Sequence, residues 1–155
     1  MKLDLGGVLF GLVGRIQPDR DPSGSVRQFM PQSRFHNAKQ VPLNRHGSGP
    51  FCRFRVPPDL PYEGVYALTV DGRVVYIGEC QHLSERFGPR GYGVIQPRNC
   101  FVGGQSTNCK INNLVLHNAL QHRDIELWFH PSSNRKVEEA GLIGRLKPEW
   151  NAQLR

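Results

Sequence analysis

The sequence lacks several features that would place a small protein in a class at once. Its four cysteines form no C-x-x-C pair, and it has no internal repeat and no low-complexity tract. It also has no apolar run of the roughly 18 residues that a membrane-spanning helix needs. These absences disfavour a zinc knuckle, a repeat array and a transmembrane protein.

The cysteines leave two interpretations open. Cys80 and His82 are spaced as two ligands of a zinc site. The residues that could complete such a site are Cys100, Cys109 and His117. Because the spacing does not match the usual zinc motifs, we favour four buried or half-buried thiols, Cys52 among them, in a reducing compartment.

A secretory leader is not expected at the start of the chain. Residues 1–16 are apolar, but Asp4 interrupts the charged start and glycine recurs throughout the segment. No small-residue cleavage site follows. We therefore expect a cytoplasmic protein.

Acidic residues are scarce relative to basic ones. The chain has 20 Lys and Arg against 13 Asp and Glu, a formal charge of +7. Such a balance favours a polyanionic partner, either nucleic acid or an acidic membrane surface, although basic composition can also serve solubility alone. Charge by itself does not decide between these.

The 155 residues predict one domain with an extension. Residues 1–62 are expected to form an irregular arm packed on the core, because proline, glycine and serine are frequent from Gln17 onward. Residues 63–155 predict an α/β (α+β) domain with a small three-stranded, mainly antiparallel sheet flanked by helices. The expected strands are 65–70, 73–77 and 125–130, and the expected helices are 81–87, about 107–121 and about 133–146.

Three separated segments carry the functional signal. They are Gly64-Val65-Tyr66, Tyr76-Ile77-Gly78, and Glu139 followed by Pro148-Glu149-Trp150-Asn151. With Arg86 eight residues after Gly78, this combination resembles the GIY-YIG nuclease superfamily over roughly residues 63–153. The superfamily includes excision-repair nucleases, homing endonucleases and restriction endonucleases. One departure is Glu79, which follows Gly78 where many members carry lysine; Arg73, Arg90 or Lys110 could replace that charge.

Whether the two tyrosines share a face depends on the turn between their strands. A two-residue turn at Asp71-Gly72 pairs Tyr66 with Ile77 and places the tyrosines on opposite faces. A three-residue loop of residues 70–72, with Gly72 in a left-handed bulge, pairs Tyr66 directly with Tyr76. A shared site therefore predicts the second register.

Glu139 lies on the apolar stripe of its helix, with Leu142 and Ile143. A carboxylate facing a core needs a partner, which is either a salt bridge to Arg86 or a bound cation. We favour Mg²⁺ or Mn²⁺, which suit one carboxylate, several waters and a phosphate oxygen. Glu138 is expected to face solvent.

The resemblance implies a role for each motif residue. Glu139 would bind the metal, Arg86 would contact a non-bridging phosphate oxygen, Tyr66 would act as general base, and Tyr76 would orient the water or the phosphate. Asn151 is expected to hold the motif together by hydrogen bonds.

Substrate contacts are expected from the segment between the two catalytic stretches. The residues selected there are Arg90, Arg98, Asn108 and Lys110, with Gln105, Asn112 and Asn113 beside them. The arm adds Arg34, Lys39, Arg45, Arg53 and Arg55.

These patterns predict a metal-dependent DNA endonuclease, restriction-like, acting on double-stranded DNA. Cutting both strands with one site per chain favours a homodimer. The alternatives are a non-catalytic nucleic-acid-binding derivative of the same fold, a DNA-repair or mobile-element nuclease, and a zinc-stapled interaction module.

Overall fold

The computed structural model describes residues 1–35 and 40–152. Lys39 and the last three residues of the predicted domain therefore lie outside the described residues. The chain divides into two compact units. The sheet unit comprises Met1–Ile16, Val56–Arg86 and Arg123–Arg155, and the basic unit comprises Gln17–Arg55 and Phe87–His122.

The sheet has five antiparallel strands rather than the predicted three. The strands are β1 (Lys2–Leu5), β2 (Val8–Arg15), β3 (Gly64–Val70), β4 (Arg73–Cys80) and β5 (Ile125–Pro131). Their order across the sheet is β1-β2-β5-β3-β4, so β4 is an edge strand. β3, β4 and β5 are the three strands that the sequence predicts.

The two additional strands come from residues 1–16, which were expected to be irregular. Gly6 and Gly7 both have positive φ, 60° and 89°, as a tight two-residue hairpin turn requires. Asp4 Oδ1 accepts a hydrogen bond from the Gly7 N–H at 2.8 Å. The hairpin adds to the sheet because β2 pairs with β5, and Phe10 is fully buried there. The glycines mark a turn, and the prediction of irregular structure is wrong here.

The longest helix of the sheet unit packs on one face of the sheet. The helices of the sheet unit are α1 (Leu83–Arg86), α3 (Arg135–Leu146) and α4 (Glu149–Ala152). A core cluster joins Leu142 of α3 to strand residues of a single sheet face, including Phe10, Ala67, Ile77 and Trp128. α3 ends where Lys147 adopts a left-handed conformation directly before Pro148.

The basic unit contains α2 (Ser106–Leu120), two short 3₁₀ helices at Pro31–Arg34 and Pro97–Cys100, and long connecting segments. Isolated bridges join these segments, for example between Leu43 and Phe101. A separate core forms around Phe51, Ile95 and Phe101.

The positive charge of the protein is concentrated in the basic unit. That unit has ten Lys and Arg and only two acidic residues, Asp19 and Asp21, which gives it a formal charge of +8. The sheet unit has ten Lys and Arg against eleven Asp and Glu, a formal charge of −1. The excess positive charge of the chain therefore lies in the basic unit, where the electrostatic attraction for a polyanion would be strongest.

Within the described residues, no helix is both long and apolar enough to cross a membrane.

Candidate active site

The two tyrosines lie on the same face of the sheet, although in a register that neither predicted turn gives. Tyr66 pairs with Gly78, and Leu68 pairs with Tyr76. Directly paired residues share a face, as do residues two apart on a strand, so Tyr66 and Tyr76 are diagonal neighbours. Their ring centroids are 6.1 Å apart. The predicted direct pairing of Tyr66 with Tyr76 is therefore wrong.

A bulge within β4 produces this register. Asp71 and Gly72 form a two-residue turn with φ of 49° and 82°, and Val70 pairs with Arg73. A turn of this kind alone would place the tyrosines on opposite faces. The register then shifts by one residue between Leu68 and Thr69, which leaves Val75 without a partner on β3. The extra residue moves Tyr76 to the face that Tyr66 occupies.

Gly78 makes room for the ring of Tyr66. A Cβ atom at Gly78 would lie 2.3 Å from both Cζ and Oη of Tyr66. The phenol therefore lies directly over the backbone of β4, with its hydroxyl at the level of residue 78. Tyr66 is fully buried, and Tyr76 is 6% exposed.

We expect Gly78→Ala to destabilise the protein by about 1–3 kcal/mol, because the methyl group must displace a buried aromatic ring. Gly141→Ala is the matched control. Its Cβ would meet nothing within 4 Å, and alanine in a helix is favoured over glycine by about 0.5–1 kcal/mol. Urea denaturation of both variants tests this. Equal stability of Gly78→Ala and wild type would show that Tyr66 is not held over residue 78.

Asn151 closes the free edge of β4 beside the tyrosines. Its Oδ1 accepts a hydrogen bond from the Ile77 N–H at 2.9 Å, and its Nδ2 donates to the Ile77 carbonyl at 2.8 Å. The side-chain amide thus takes the place of a further strand at this residue. α4, which the sequence did not predict, carries Asn151 to this position. These contacts make Asn151 a positioning residue.

Glu139 binds the same strand edge two residues further along. The Glu79 N–H donates a hydrogen bond to the Glu139 carboxylate. Burial raises the pKa of Glu139 above its ordinary value of 4.5, and the Glu79 carboxylate raises it further. The nearby Arg86 guanidinium and the Glu79 N–H act in the opposite direction and do not cancel the shift. Glu139 is therefore a half-buried carboxylate whose negative charge is incompletely compensated.

Glu79 itself is held by Arg135, at the first position of α3. Arg135 Nε donates to Glu79 Oε2 at 2.6 Å, and Arg135 Nη1 forms an ion pair with Glu63. The Arg135 side chain is only 14% exposed. The cation paired with Glu79 is therefore Arg135. The sequence analysis suggested Arg73, Arg90 or Lys110 for this charge and missed Arg135. No local pattern signals a pair 56 positions apart.

The expectation that Glu138 faces solvent is wrong. Its Oε1 accepts a hydrogen bond from Ser132 Oγ at 2.8 Å, and its Oε2 lies 3.0 Å from His130 Nε2. These contacts tie the start of α3 to the segment that precedes it. A substitution of Glu138 would disturb them, so Glu138 is a poor control for substitutions of Glu139. Glu149 is more suitable, since it is exposed and pairs with the exposed Arg73, at 3.3 Å.

The raised pKa of Glu139 predicts how a variant changes stability. Between 4.5 and the raised pKa, the folded protein binds more protons than the unfolded chain, so stability falls as pH rises through this window. In EDTA, Glu139→Gln should raise Tm by roughly 2 °C at pH 7, a modest gain because solvent screens this half-buried group. The gain should vanish near pH 4, and Glu149→Gln should show none. A fall in Tm at pH 7 would instead favour the salt bridge between Glu139 and Arg86.

The predicted substrate-binding residues all lie in the basic unit. Arg90 and Arg98 are exposed and Asn108 is half-buried, whereas Lys110 is only 5% exposed. Lys110 is therefore not an open surface contact in this conformation. Arg98 places its guanidinium 6.0 Å from the ring centroid of Phe35.

Two asparagines of the expected substrate-binding set have internal structural contacts. Asn112 is fully buried; its amide accepts from the Cys52 N–H at 2.9 Å and donates to the carbonyls of Cys52 and Tyr92. Asn113 donates to the Pro50 carbonyl at 2.8 Å. Both side chains hold loop backbone in place, which the sequence alone did not distinguish from base contacts.

All four cysteines are buried and free. Among residues 1–35 and 40–152, no group of three or more His, Cys, Asp and Glu is arranged to hold a metal ion. The structure thus offers no multi-ligand zinc centre within that part of the chain.

No protein-family profile matches the chain, and no curated protein matches it. Among solved structures, a mutant of bacteriophage T4 EndoII is similar to it, with a TM-score of 0.46 and 18% sequence identity. The alignment covers 72% of this chain and 86% of that chain. At this level the similarity carries no conclusion about function.

Proposed function

We propose that the protein is a divalent-metal-dependent endonuclease that hydrolyses phosphodiester bonds in double-stranded DNA, and that it acts as a restriction-like enzyme. One observation carries the proposal. Residues 76–79 of β4 bring together the Tyr66–Tyr76 pair and, through the N–H of Glu79, the half-buried Glu139 carboxylate beside Arg86.

The donor chemistry at Glu139 suits a hard divalent cation. The carboxylate is half-buried, and Glu79 beside it adds negative charge that Arg86 does not fully offset. A cation would relieve this cost, and Mg²⁺ or Mn²⁺ readily binds one carboxylate together with waters and a phosphate oxygen. Glu139 would hold the ion. When bound, a divalent cation supplies Lewis-acid stabilisation of the charge on the phosphate and the departing 3′-oxygen.

The remaining residues have separable roles in this proposal. Arg86 neutralises charge on a non-bridging oxygen as the transition state forms. Tyr66 accepts the proton of the attacking water, and Tyr76 orients that water or the phosphate. Gly78 is needed because a side chain there would displace the Tyr66 ring and hydroxyl from their position over β4. Asn151 keeps this stretch of β4 in place through Ile77.

The basic unit supplies affinity. Its charge of +8 favours phosphate contacts, whose strength falls steeply with salt because binding releases counterions from the nucleic acid. Arg98 and Arg90 are its exposed candidates for such contacts.

The proposal is tested by incubating the purified protein with supercoiled plasmid in Mg²⁺, Mn²⁺ or EDTA. We expect nicked and linear products with either metal and none in EDTA. Linear product without a nicked intermediate would support the homodimer, since two sites would cut together. Tight DNA binding with no cleavage in either metal would instead favour the non-catalytic derivative of the fold.

A further inference from the structure

A lysine without a hydrogen-bond partner is buried in the basic unit. Lys110 lies on α2 between the fully buried Cys109 and Ile111, and it is itself 5% exposed. Within the described part of the chain, its Nζ is buried and has no hydrogen-bond partner. An ammonium group in this position is costly unless an acceptor or an opposite charge compensates it.

The groups that act on this region are also cationic. The pKa of Lys110 is lowered by burial and then by the charge of Arg45. The pKa of His46 is lowered by burial, then by Lys110 and Arg45. Three basic side chains are therefore near enough to disfavour one another's charged forms. With only two acidic residues, Asp19 and Asp21, the basic unit has little negative charge to balance them.

The segment that carries Arg45 and His46 is held firmly against the rest of the basic unit. Asn44 Nδ2 donates to the carbonyls of Asn99 and Phe101, at 2.6 and 3.2 Å, and the Asn44 N–H donates to the Cys100 carbonyl at 2.9 Å. The Asn44 Oδ1 accepts from the His46 N–H at 2.9 Å. The cationic cluster is thus a feature of an ordered loop.

The same segment depends on a close backbone contact. A Cβ atom at Gly47 would lie 1.8 Å from the Cys100 carbonyl oxygen, so only glycine allows the loop to approach this closely. The contact fixes the residue directly after Arg45 and His46. The loop therefore presents its two basic side chains from a constrained position.

From these observations we infer that Arg45, His46 and Lys110 form a binding site for a phosphate group. A phosphate oxygen would supply the acceptor that Lys110 lacks, and its charge would offset the repulsion among the three side chains. Assigning the group to the backbone of a nucleic acid rests on the proposed function. The inference that a phosphate group binds here does not depend on the proposed function.

Free phosphate is tested first, by thermal unfolding of the full chain in EDTA with inorganic phosphate or with chloride at equal ionic strength. Phosphate should raise the wild-type Tm more than chloride does. Lys110→Met keeps the length and removes the charge, so it should raise Tm in chloride and lose most of the phosphate response. Arg27→Gln removes a positive charge from an exposed side chain of the same unit and should retain that response.

DNA binding is tested by fluorescence anisotropy with a short DNA duplex in EDTA, where cleavage does not interfere. Lys110→Met and the exposed-site variant Arg45→Gln should each weaken binding on the order of tenfold and reduce the salt slope by about one. Arg27→Gln should change affinity less than about twofold. Arg45→Gln keeps the test valid if Lys110→Met does not fold.

Three outcomes separate the possibilities. A phosphate response that Lys110→Met loses, with unchanged DNA affinity, supports the site and assigns it to free phosphate. A phosphate response that survives in both Lys110→Met and Arg45→Gln overturns the site and leaves Lys110 with a structural role. Binding of the wild type to anionic lipid vesicles but not to DNA would contradict the nucleic-acid assignment. Cleavage is absent from each measurement, so failure here is distinct from failure of the nuclease proposal.

Discussion

Glu139→Gln is expected to lower the rate of DNA cleavage by at least about a hundredfold, because it removes the carboxylate charge that would hold the divalent cation. The fold should survive, since glutamine retains an oxygen that can accept the hydrogen bond from the Glu79 N–H. DNA affinity in EDTA should change little, because the positive charge proposed to bind DNA is in the basic unit. Single-turnover cleavage of a plasmid measures the first effect and anisotropy the second.

Glu149→Gln is the control for this variant, because it makes the same chemical change at an exposed residue of the same unit. It should cleave at close to the wild-type rate. A wild-type rate for Glu139→Gln would remove Glu139 as the metal ligand. Thermal unfolding adds a readout without catalysis: Mg²⁺ should raise the Tm of the wild type and not that of Glu139→Gln.

Arg86→Ala is expected to lower turnover roughly a hundredfold or more while changing DNA affinity far less. The side chain is proposed to contact the phosphate as its charge develops, and removal of such a contact is worth on the order of 3 kcal/mol in the transition state. Arg98→Ala should show the opposite pattern. That residue is exposed in the basic unit, so its loss should weaken binding and reduce the salt slope, with little effect at saturating DNA.

Both variants are measured with the same two assays, a binding titration in EDTA and a single-turnover cleavage reaction. Arg98 is the binding control because its side chain is exposed, whereas Lys110 is buried and belongs to the proposed phosphate site. If Arg86→Ala and Arg98→Ala lose binding and turnover in the same proportion, Arg86 is a phosphate anchor and its proposed catalytic role is wrong.

The sequence predicted the elements whose local pattern is strong. β3, β4 and β5 are short β-prone runs bounded by turn residues, and α3 ends at Leu146, before Pro148, as expected. The hairpin of residues 1–16 was missed because frequent glycine lowers strand propensity, even though Gly6-Gly7 is itself a hairpin signal.

The face shared by the tyrosines shows the limit of pattern reasoning. Two tyrosines on one face require a one-residue irregularity somewhere in the hairpin, and this follows from the alternation of a strand. The position of this irregularity along the hairpin does not follow from the alternation. The sequence favoured the turn, since Gly72 tolerates positive φ, whereas the structure places the irregularity at Val75 within β4.

Long-range contacts could not be predicted from local pattern. The pair of Glu79 with Arg135 and the amide of Asn112 on Cys52 each join residues more than 50 positions apart. The same holds for the burial of Lys110, which looks like a surface residue when its helix is read alone. Asn151 was anticipated to hold the motif together, and its hydrogen bonds to Ile77 supply that contact.

We propose that water, not a tyrosine, attacks the phosphodiester bond at the edge of β4. It is tested most directly by incubating the wild-type protein with plasmid and Mg²⁺ and then analysing the ends of the products. Departure of the 3′-oxygen predicts 3′-hydroxyl and 5′-phosphate ends, no DNA covalently attached to protein, and no product in EDTA. A protein–DNA adduct through Tyr66 or Tyr76, or cleavage that persists in EDTA, would contradict the account.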